Sequence, residues 1–99
     1  MLDHVCLLKF APTTTTEQKD KLIAMCLDLR NTIHGIIDYQ ANYIFNSEDD
    51  YGFEIGITVR FESKEALANY TVHPDHQAVL AYLGEINLVD KTVCDFELV

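Results

Sequence analysis

The chain has 99 residues, of which 48% are hydrophobic, and this predicts one domain over residues 1–99 with a single modest core. Its 16 acidic residues outnumber its 7 lysines and arginines, and the formal net charge is −9. Such a charge repels nucleic-acid phosphates and anionic lipids, and no apolar run reaches the roughly 20 residues that span a bilayer. Asp3 lies where a signal peptide would be basic. We therefore expect a cytoplasmic protein that binds neither nucleic acid nor membrane.

Three cysteines, Cys6, Cys26 and Cys94, lie within apolar patterns and show no Cys-x-x-Cys spacing. An odd number of cysteines in such positions argues against a disulfide framework and against a zinc site. We expect each to be a small buried hydrophobic side chain. We expect no metal and no other cofactor, since no histidine has an evident carboxylate or cysteine to complete a ligand set.

Residues Leu2 to Phe10 form the first predicted element, a strand with apolar side chains on both faces. His4 is the polar member of the face that also carries Leu2 and Cys6. A threonine of the run 13–16 can cap a helix, because its hydroxyl accepts from a free N–H of the first turn. Apolar residues then recur at helical spacing, at Leu22, Cys26, Leu29 and Ile33. Gly35 is placed to end this helix in a left-handed conformation.

Alternating apolar residues predict a second strand over 37–46 and a third over 53–61. The polar segment 46–52, with its acidic run 48–50, predicts the turn of a hairpin between them. Ser63 can cap a short helix over 64–70, and another helix begins near Pro74 because proline suits a first helical position. A last strand follows over 88–98. We assign Leu88, Cys94, Phe96 and Leu98 to one of its faces and Val89, Val93 and Glu97 to the other.

The predicted order is β-α-β-β-α-β with a split second helix, which is the order of α+β ferredoxin-like domains. In that fold the helices cover one face of a four-stranded antiparallel sheet. The opposite face would carry Val5, Leu7, Ile44, Val89 and Val93. This is too much apolar surface to leave in water. We therefore expect a second copy of the chain to cover it, giving a homodimeric α/β barrel.

The segment 69–77 carries the densest polar chemistry of the chain, with Tyr70, His73 and His76 around the break between the two helices. A histidine at the third position of a new helix is favoured as the neutral base by the partial positive charge of the helix N-terminus. If the fold brings His4 near Tyr70 and His76, a site for a small molecule results.

The sequence resembles the stress-responsive dimeric α/β-barrel family, a branch of the ferredoxin-like dimeric barrels. The resemblance extends over nearly the whole chain, in the stretches 4–5, 7–10, 33–35, 60–67, 70–76 and 95–96. Its most specific part combines Tyr70, His73 with Pro74, and His76. It implies two sheets that face each other across a dimer axis, and a cavity between each sheet and its own helices.

The family includes a plant polyketide cyclase, and this resemblance implies roles for individual residues. Tyr70 and His76 would serve an intramolecular aldol-type ring closure, and His4 would line the cavity. Ile55 stands where that cyclase has a further cavity histidine, and with His73 it completes the candidate ligand-binding residues. His73 can alternatively cap the second helix segment.

Two interpretations of the cluster stay open at this point. As a general base, His76 could remove a proton from the carbon beside a carbonyl while Tyr70 donates a hydrogen bond to the enolate oxygen. Alternatively, these side chains satisfy each other where the helices meet, and His4 is a satisfied core histidine. The leading hypothesis is a dimeric barrel that binds a small apolar or carbonyl-containing molecule. The alternatives are a cyclase, lyase or isomerase that uses His76, and a structural stress-related module without a ligand.

Overall fold

A computed structural model describes residues 1–46 and 52–99 and confirms the predicted ferredoxin-like order with its split second helix. The elements are β1 (Leu2–Phe10), α1 (Thr16–Thr32), β2 (Ile36–Tyr43), β3 (Ile55–Phe61), α2 (Lys64–Val72), α3 (Pro74–Glu85) and β4 (Leu88–Glu97). The second and third strands are shorter than predicted. The acidic run 48–50 of the predicted hairpin turn lies outside the described residues.

The four strands form one antiparallel sheet in the order β2-β3-β1-β4. At the centre of this register His4 pairs with Val59 on one side and with Asp95 on the other. The helices pack on the face that carries the alternate apolar residues of β1 and β3, and these side chains are buried in the core. We call this the helix-side face of the sheet and the opposite one the outer face.

Side-chain caps start the helices where the sequence predicts them. The Thr15 hydroxyl accepts from the backbone N–H of Gln18, and the Gln18 side chain accepts from the N–H of Thr15. The Ser63 hydroxyl accepts from Ala66 N at 3.2 Å. Each cap satisfies an N–H group that has no partner within the helix, which fixes where the chain turns from the sheet into the helix.

Gly35 adopts the predicted left-handed conformation, with φ of +89°, but it lies beyond the end of α1. Helix α1 ends at Thr32, and Ile33 caps it in an extended conformation. A Cβ at position 35 would lie 2.5 Å from the Cβ of Ala66 on α2. The glycine therefore forms the turn into β2 and also permits the close approach of α2.

The predicted faces of β4 are wrong. The register places Val93 and Glu97 opposite Cys6 and Leu2, on the helix-side face, and leaves Cys94 and Phe96 on the outer face. Cys94 is exposed, contrary to the expectation that all three cysteines are buried. The pattern misled because this edge strand carries apolar residues on both faces, so alternation alone does not fix which face is buried.

Candidate functional site

A cavity of about 300 Å³ lies between the helix-side face of the sheet and the helices. Most of its wall is apolar, and the polar groups in it come from separate elements. The lining residues are His4, Cys6, Leu8, Cys26, Tyr39, Ile57, Leu67, Tyr70, Thr71, His76, Val79, Leu80, Leu83, Lys91, Val93 and Asp95. An apolar pocket with a few convergent polar groups is typical of a small-molecule site.

Three of the predicted site residues meet at this cavity: His4 from β1, Tyr70 from α2 and His76 from α3. The Tyr70 ring is the centre of the group. Its centroid lies 4.1 Å from that of His76, with the ring planes inclined by 34°, and 6.1 Å from that of His4 in an edge-on contact. The fold thus assembles side chains that are more than 60 residues apart in sequence.

The junction between α2 and α3 positions Tyr70 and His76. His73 caps both helices, since its N–H donates to Tyr70 O and its Nδ1 accepts from Asp75 N at 3.1 Å. Pro74 follows as the first residue of α3, where its missing N–H costs nothing. The short connection leaves Tyr70 in the last turns of one helix and His76 in the first turn of the next, so that their rings overlap.

The neutral form of His76 has a defined tautomer. Its Nδ1 lies 3.2 Å from the carbonyl oxygen of Thr71, which can only accept, so Nδ1 carries the proton and donates it. Nε2 is then the unprotonated nitrogen, and among the described residues it has no hydrogen-bond partner. Burial lowers the pKa of His76, the hydrogen bond to the Thr71 carbonyl opposes this effect, and electrostatic interactions with His4, Lys91 and His73 lower the pKa further. A neutral imidazole with a free lone pair on Nε2 is suited to accept a proton.

Tyr70 is held by contacts on its ring and on its hydroxyl. Phe61 packs edge-on against the Tyr70 ring at a centroid distance of 5.0 Å, and Tyr70 is only 3% exposed. The hydroxyl lies 2.9 Å from the hydroxyl of Tyr39, which comes from β2. Burial raises the pKa of Tyr70, so the phenol stays protonated at neutral pH and can act only as a hydrogen-bond donor or acceptor.

His4 is bound to a carboxylate at the edge of the cavity. Its Nδ1 lies 2.5 Å from Oδ1 of Asp95 on the neighbouring strand β4. Because an ionised carboxylate only accepts, Nδ1 carries a proton, and Nε2 is the nitrogen left for a ligand. Asp95 is about two-fifths exposed, which places this pair near the opening of the cavity.

Two other predicted ligand-binding residues lie outside the cavity wall. Ile55 is completely buried in the core and does not line the cavity. Ile57, its neighbour on the same face of β3, lines the cavity instead. His73 is occupied as the cap between α2 and α3. Both residues support the site through packing and capping in this geometry.

The polar residues of the lining that the sequence did not reveal include Tyr39, Lys91 and Asp95. Tyr39 was interpreted as a core side chain from its place in the apolar alternation of the second strand. Lys91 and Asp95 lie on the helix-side face of β4, whose faces were assigned the wrong way round. The signal that could have found Asp95 is its register opposite His4, which requires the strand pairing to be known.

The part of the chain that the structure describes holds no group of three or more His, Cys, Asp or Glu side chains suited to a metal ion. Among the same residues, no helix is both long and apolar enough to cross a membrane. The polar groups that line the site include imidazole, phenol and carboxylate groups.

A protein-family profile described as "Stress responsive A/B Barrel Domain" matches residues 2–98. Olivetolic acid cyclase from Cannabis sativa is 30% identical over 74 residues, which are 74% of this chain and 73% of that protein. The crystal structure of At3g17210 from Arabidopsis thaliana is 28% identical, with a TM-score of 0.83, and the match covers 100% of this chain and 96% of that one.

A third similarity is to a dimeric ferredoxin-like protein of unknown function from Thermobifida fusca. Its TM-score is 0.85 at 22% identity, and the match covers 98% of this chain and 90% of that one. Similarity at this level of identity shows the fold, which is that of dimeric ferredoxin-like proteins.

Proposed function

The chain belongs to the stress responsive A/B barrel domain family, and we propose that it binds a small apolar molecule with a carbonyl group and removes a proton from the carbon beside that carbonyl. The cavity supports the first half of this proposal, because its wall is mainly apolar and about 300 Å³ is left open. A structural module without a ligand would have no need to keep this space unfilled, since cavities lower stability.

One observation carries the second half of the proposal: His76 presents a free Nε2 beside the phenol of Tyr70. A general base must be unprotonated at the working pH, and burial holds His76 in that form. The contact with Thr71 fixes which nitrogen is free, so no tautomer change is needed before proton transfer.

The proposed step transfers one proton and shifts two electron pairs. Nε2 of His76 takes a proton from the α-carbon, the C–H electron pair forms a C=C bond to the carbonyl carbon, and the π pair of the C=O bond moves onto oxygen, giving an enolate and a protonated His76. The Tyr70 hydroxyl donates a hydrogen bond to that oxygen as its negative charge develops. His4, with its Nδ1 committed to Asp95, is placed to bind a second polar group of the ligand.

The enolate has two chemically distinct fates. It can be reprotonated at carbon, as in an isomerase, or its carbon can attack a second carbonyl of the same molecule and close a ring. The similarity to a protein named olivetolic acid cyclase favours ring closure as the second candidate function. A ring-closing substrate must fold within the cavity so that two of its carbonyl groups reach Tyr70 and His4.

Exchange of α-protons for deuterium tests the proton transfer without knowledge of the substrate. The probe is heptan-2-one in D2O, and the rate at which its α-proton signals disappear is followed by NMR. We expect the parent protein to accelerate exchange and His76→Ala to lower the protein-dependent rate by about 10²- to 10⁴-fold. Tyr70→Phe should lower it as well, since the enolate oxygen then loses its donor.

His34→Ala is the matched control, because His34 is exposed beyond the end of α1 and does not line the cavity. It should exchange at the parent rate. Exchange that survives His76→Ala unchanged in a folded protein would rule out the base assigned here. Binding of heptan-2-one without any accelerated exchange would leave a binding protein and exclude the catalytic half of the proposal.

We also infer that the chain forms a homodimer through the outer face of its sheet. This face carries apolar side chains that the helices do not cover: Val5, Leu7, Ile44, Cys94 and Phe96. Phe96 is 49% exposed. An apolar sheet face of this kind is stabilised when another sheet packs on it, and the structural similarity to dimeric proteins supports a second copy as the occupant.

A further inference from the structure

Two buried phenols share a hydrogen bond at the inner wall of the cavity. Tyr39 and Tyr70 are 1% and 3% exposed, and their hydroxyl oxygens lie 2.9 Å apart. Both residues line the cavity. This hydrogen bond joins β2 to α2.

The direction of the hydrogen bond between the two phenols follows from the number of protons available. Each hydroxyl has one proton to donate and an oxygen that can accept. If Tyr70 donates to Tyr39, the Tyr70 proton is used within the protein and the cavity receives only a lone pair. If Tyr39 donates to Tyr70, the Tyr70 proton is left for the cavity.

A ligand oxygen with negative charge selects the second direction. With such an oxygen next to Tyr70, the hydrogen bonds run in one direction, from Tyr39 through Tyr70 to the ligand. Hydrogen bonds in a chain polarise one another, so each donor is strengthened by the one behind it. Because an ionised acceptor forms the stronger bond, the arrangement favours anionic over neutral oxygens.

We propose that Tyr39 is a positioning residue that donates to Tyr70 and thereby directs the Tyr70 proton at an enolate or phenolate oxygen of the ligand. This inference rests on the proposed function and names its ligand class, an apolar molecule with an acidic enol or phenol. The ring of Tyr70 is clamped between Phe61 and His76, so the hydroxyl is the part of this side chain left to be oriented.

A series of substituted phenols tests the proposal, since phenolates mimic the charge and planarity of an enolate. The probes are phenol, 4-chlorophenol and 4-nitrophenol, and affinity is measured by calorimetry at one pH. We expect affinity to rise with the acidity of the phenol. Tyr70→Phe should weaken binding of 4-nitrophenol by about 10- to 100-fold, and Tyr39→Phe by about 2- to 10-fold. Tyr39→Phe should also flatten the dependence on acidity.

The double variant separates a positioning role from a second direct contact. If Tyr39 acts through Tyr70, Tyr39→Phe has no further effect once Tyr70→Phe is present, whereas independent contacts would add. Tyr43→Phe is the matched control. Tyr43 lies on the same face of β2, but its hydroxyl bonds to Asp20 and it does not line the cavity. It should bind the phenols as the parent does.

Several outcomes overturn the inference without touching the proposed base. These are parent-like binding and acidity dependence in Tyr39→Phe, additive effects in the double variant, and absence of phenol binding by the parent protein. In each of these cases exchange of heptan-2-one protons can still depend on His76. If the phenols bind as expected but the exchange of heptan-2-one protons does not depend on His76, the proton transfer is refuted. Tyr39 and Tyr70 would then keep their role in binding an anionic oxygen.

Discussion

The protonation of His76 sets the pH range in which the proposed proton transfer can operate. Its pKa is lowered mainly by burial, so the free-base form extends below pH 6.5, the ordinary value for histidine. We expect the exchange rate of heptan-2-one to increase with pH and to reach its plateau below neutrality, with a midpoint under 6.5. The measurement is the exchange rate of heptan-2-one at constant ionic strength, over the range of pD that corresponds to pH 4.5 to 8.

Lys91 offers a way to move that midpoint. It lines the cavity, and its positive charge contributes to the lowered pKa of His76. Lys91→Met should therefore raise the pKa and shift the midpoint to higher pH, with little change of the plateau. Arg30→Met, at the exposed end of α1, is the control and should leave the profile in place. A midpoint that does not respond to Lys91 would mean that another group controls the rate.

At the scale of single residues, the sequence predicted those site residues that lie close together in one polar segment or that interrupt an apolar pattern. Tyr70 and His76 were found because a helix junction holds them six residues apart, and His4 because it interrupts an apolar face. Asp95 and Tyr39 could not be found in this way. Their roles depend on hydrogen bonds to residues 91 and 31 positions away, which exist only after the strands and helices have packed.

At the scale of elements, the pattern predicted the order of all strands and helices but not the faces of β4. Strand β3 has a clear alternation of buried and exposed residues, and its faces were predicted correctly. Strand β4 is exposed along nearly its whole length, because it is an edge strand and one of its faces lines the opening of the cavity. Hydrophobicity does not specify a face where neither is fully buried.

Gly35 connects α1, β2 and α2 in a way that only glycine permits. Its φ of +89° is costly for other residues, and an added Cβ would meet Ala66 at 2.5 Å. We expect Gly35→Ala to destabilise the protein by about 2–4 kcal/mol, from backbone strain and overpacking together. Thermal unfolding followed by circular dichroism should show a lower Tm, by roughly 4 °C or more for each kcal/mol.

Gly84 provides a matched substitution with the opposite expected sign. It lies within α3, and nothing is within 4 Å of the place where its Cβ would be. Gly84→Ala should therefore stabilise the protein by up to about 1 kcal/mol, the difference in helix propensity. Equal Tm values for the two variants would contradict the role given to Gly35.

At the scale of the whole molecule, the sheet separates two functions. Its helix-side face forms the cavity, and its outer face carries the apolar residues that we assign to the dimer. The need for a second copy was inferred from sequence through Val5, Leu7 and Ile44, although Val93 was wrongly included. Cys94 and Phe96 replace it on that face. The cavity was expected only from the family resemblance. The residue pattern does not show it, because an unfilled space depends on the final packing of side chains.

Cys94 can report whether the outer face is covered. It is exposed in the single chain, whereas Cys6 and Cys26 are buried, and burial raises the pKa of both thiols to about 11. We expect iodoacetamide to modify Cys94 slowly at high protein concentration, where dimers form, and faster on dilution. Mass spectrometry of the alkylated peptides measures this. A rate independent of concentration over the range in which the oligomeric state changes would place Cys94 outside the interface.

Leu7→Asp tests the dimer directly. Leu7 lies at the middle of the outer face, paired with Gly56 on one side and Thr92 on the other, and is half-buried in the single chain. A carboxylate there would be buried without a partner in the dimer but can be hydrated in the monomer, so the cost falls on association. We expect sedimentation to show a dimer for the parent and a folded monomer for the variant. Ala81→Asp, which adds the same charge on exposed α3, should remain dimeric. If the parent sediments as a monomer at micromolar concentration, or if Leu7→Asp still dimerises, the outer face is not the dimer interface.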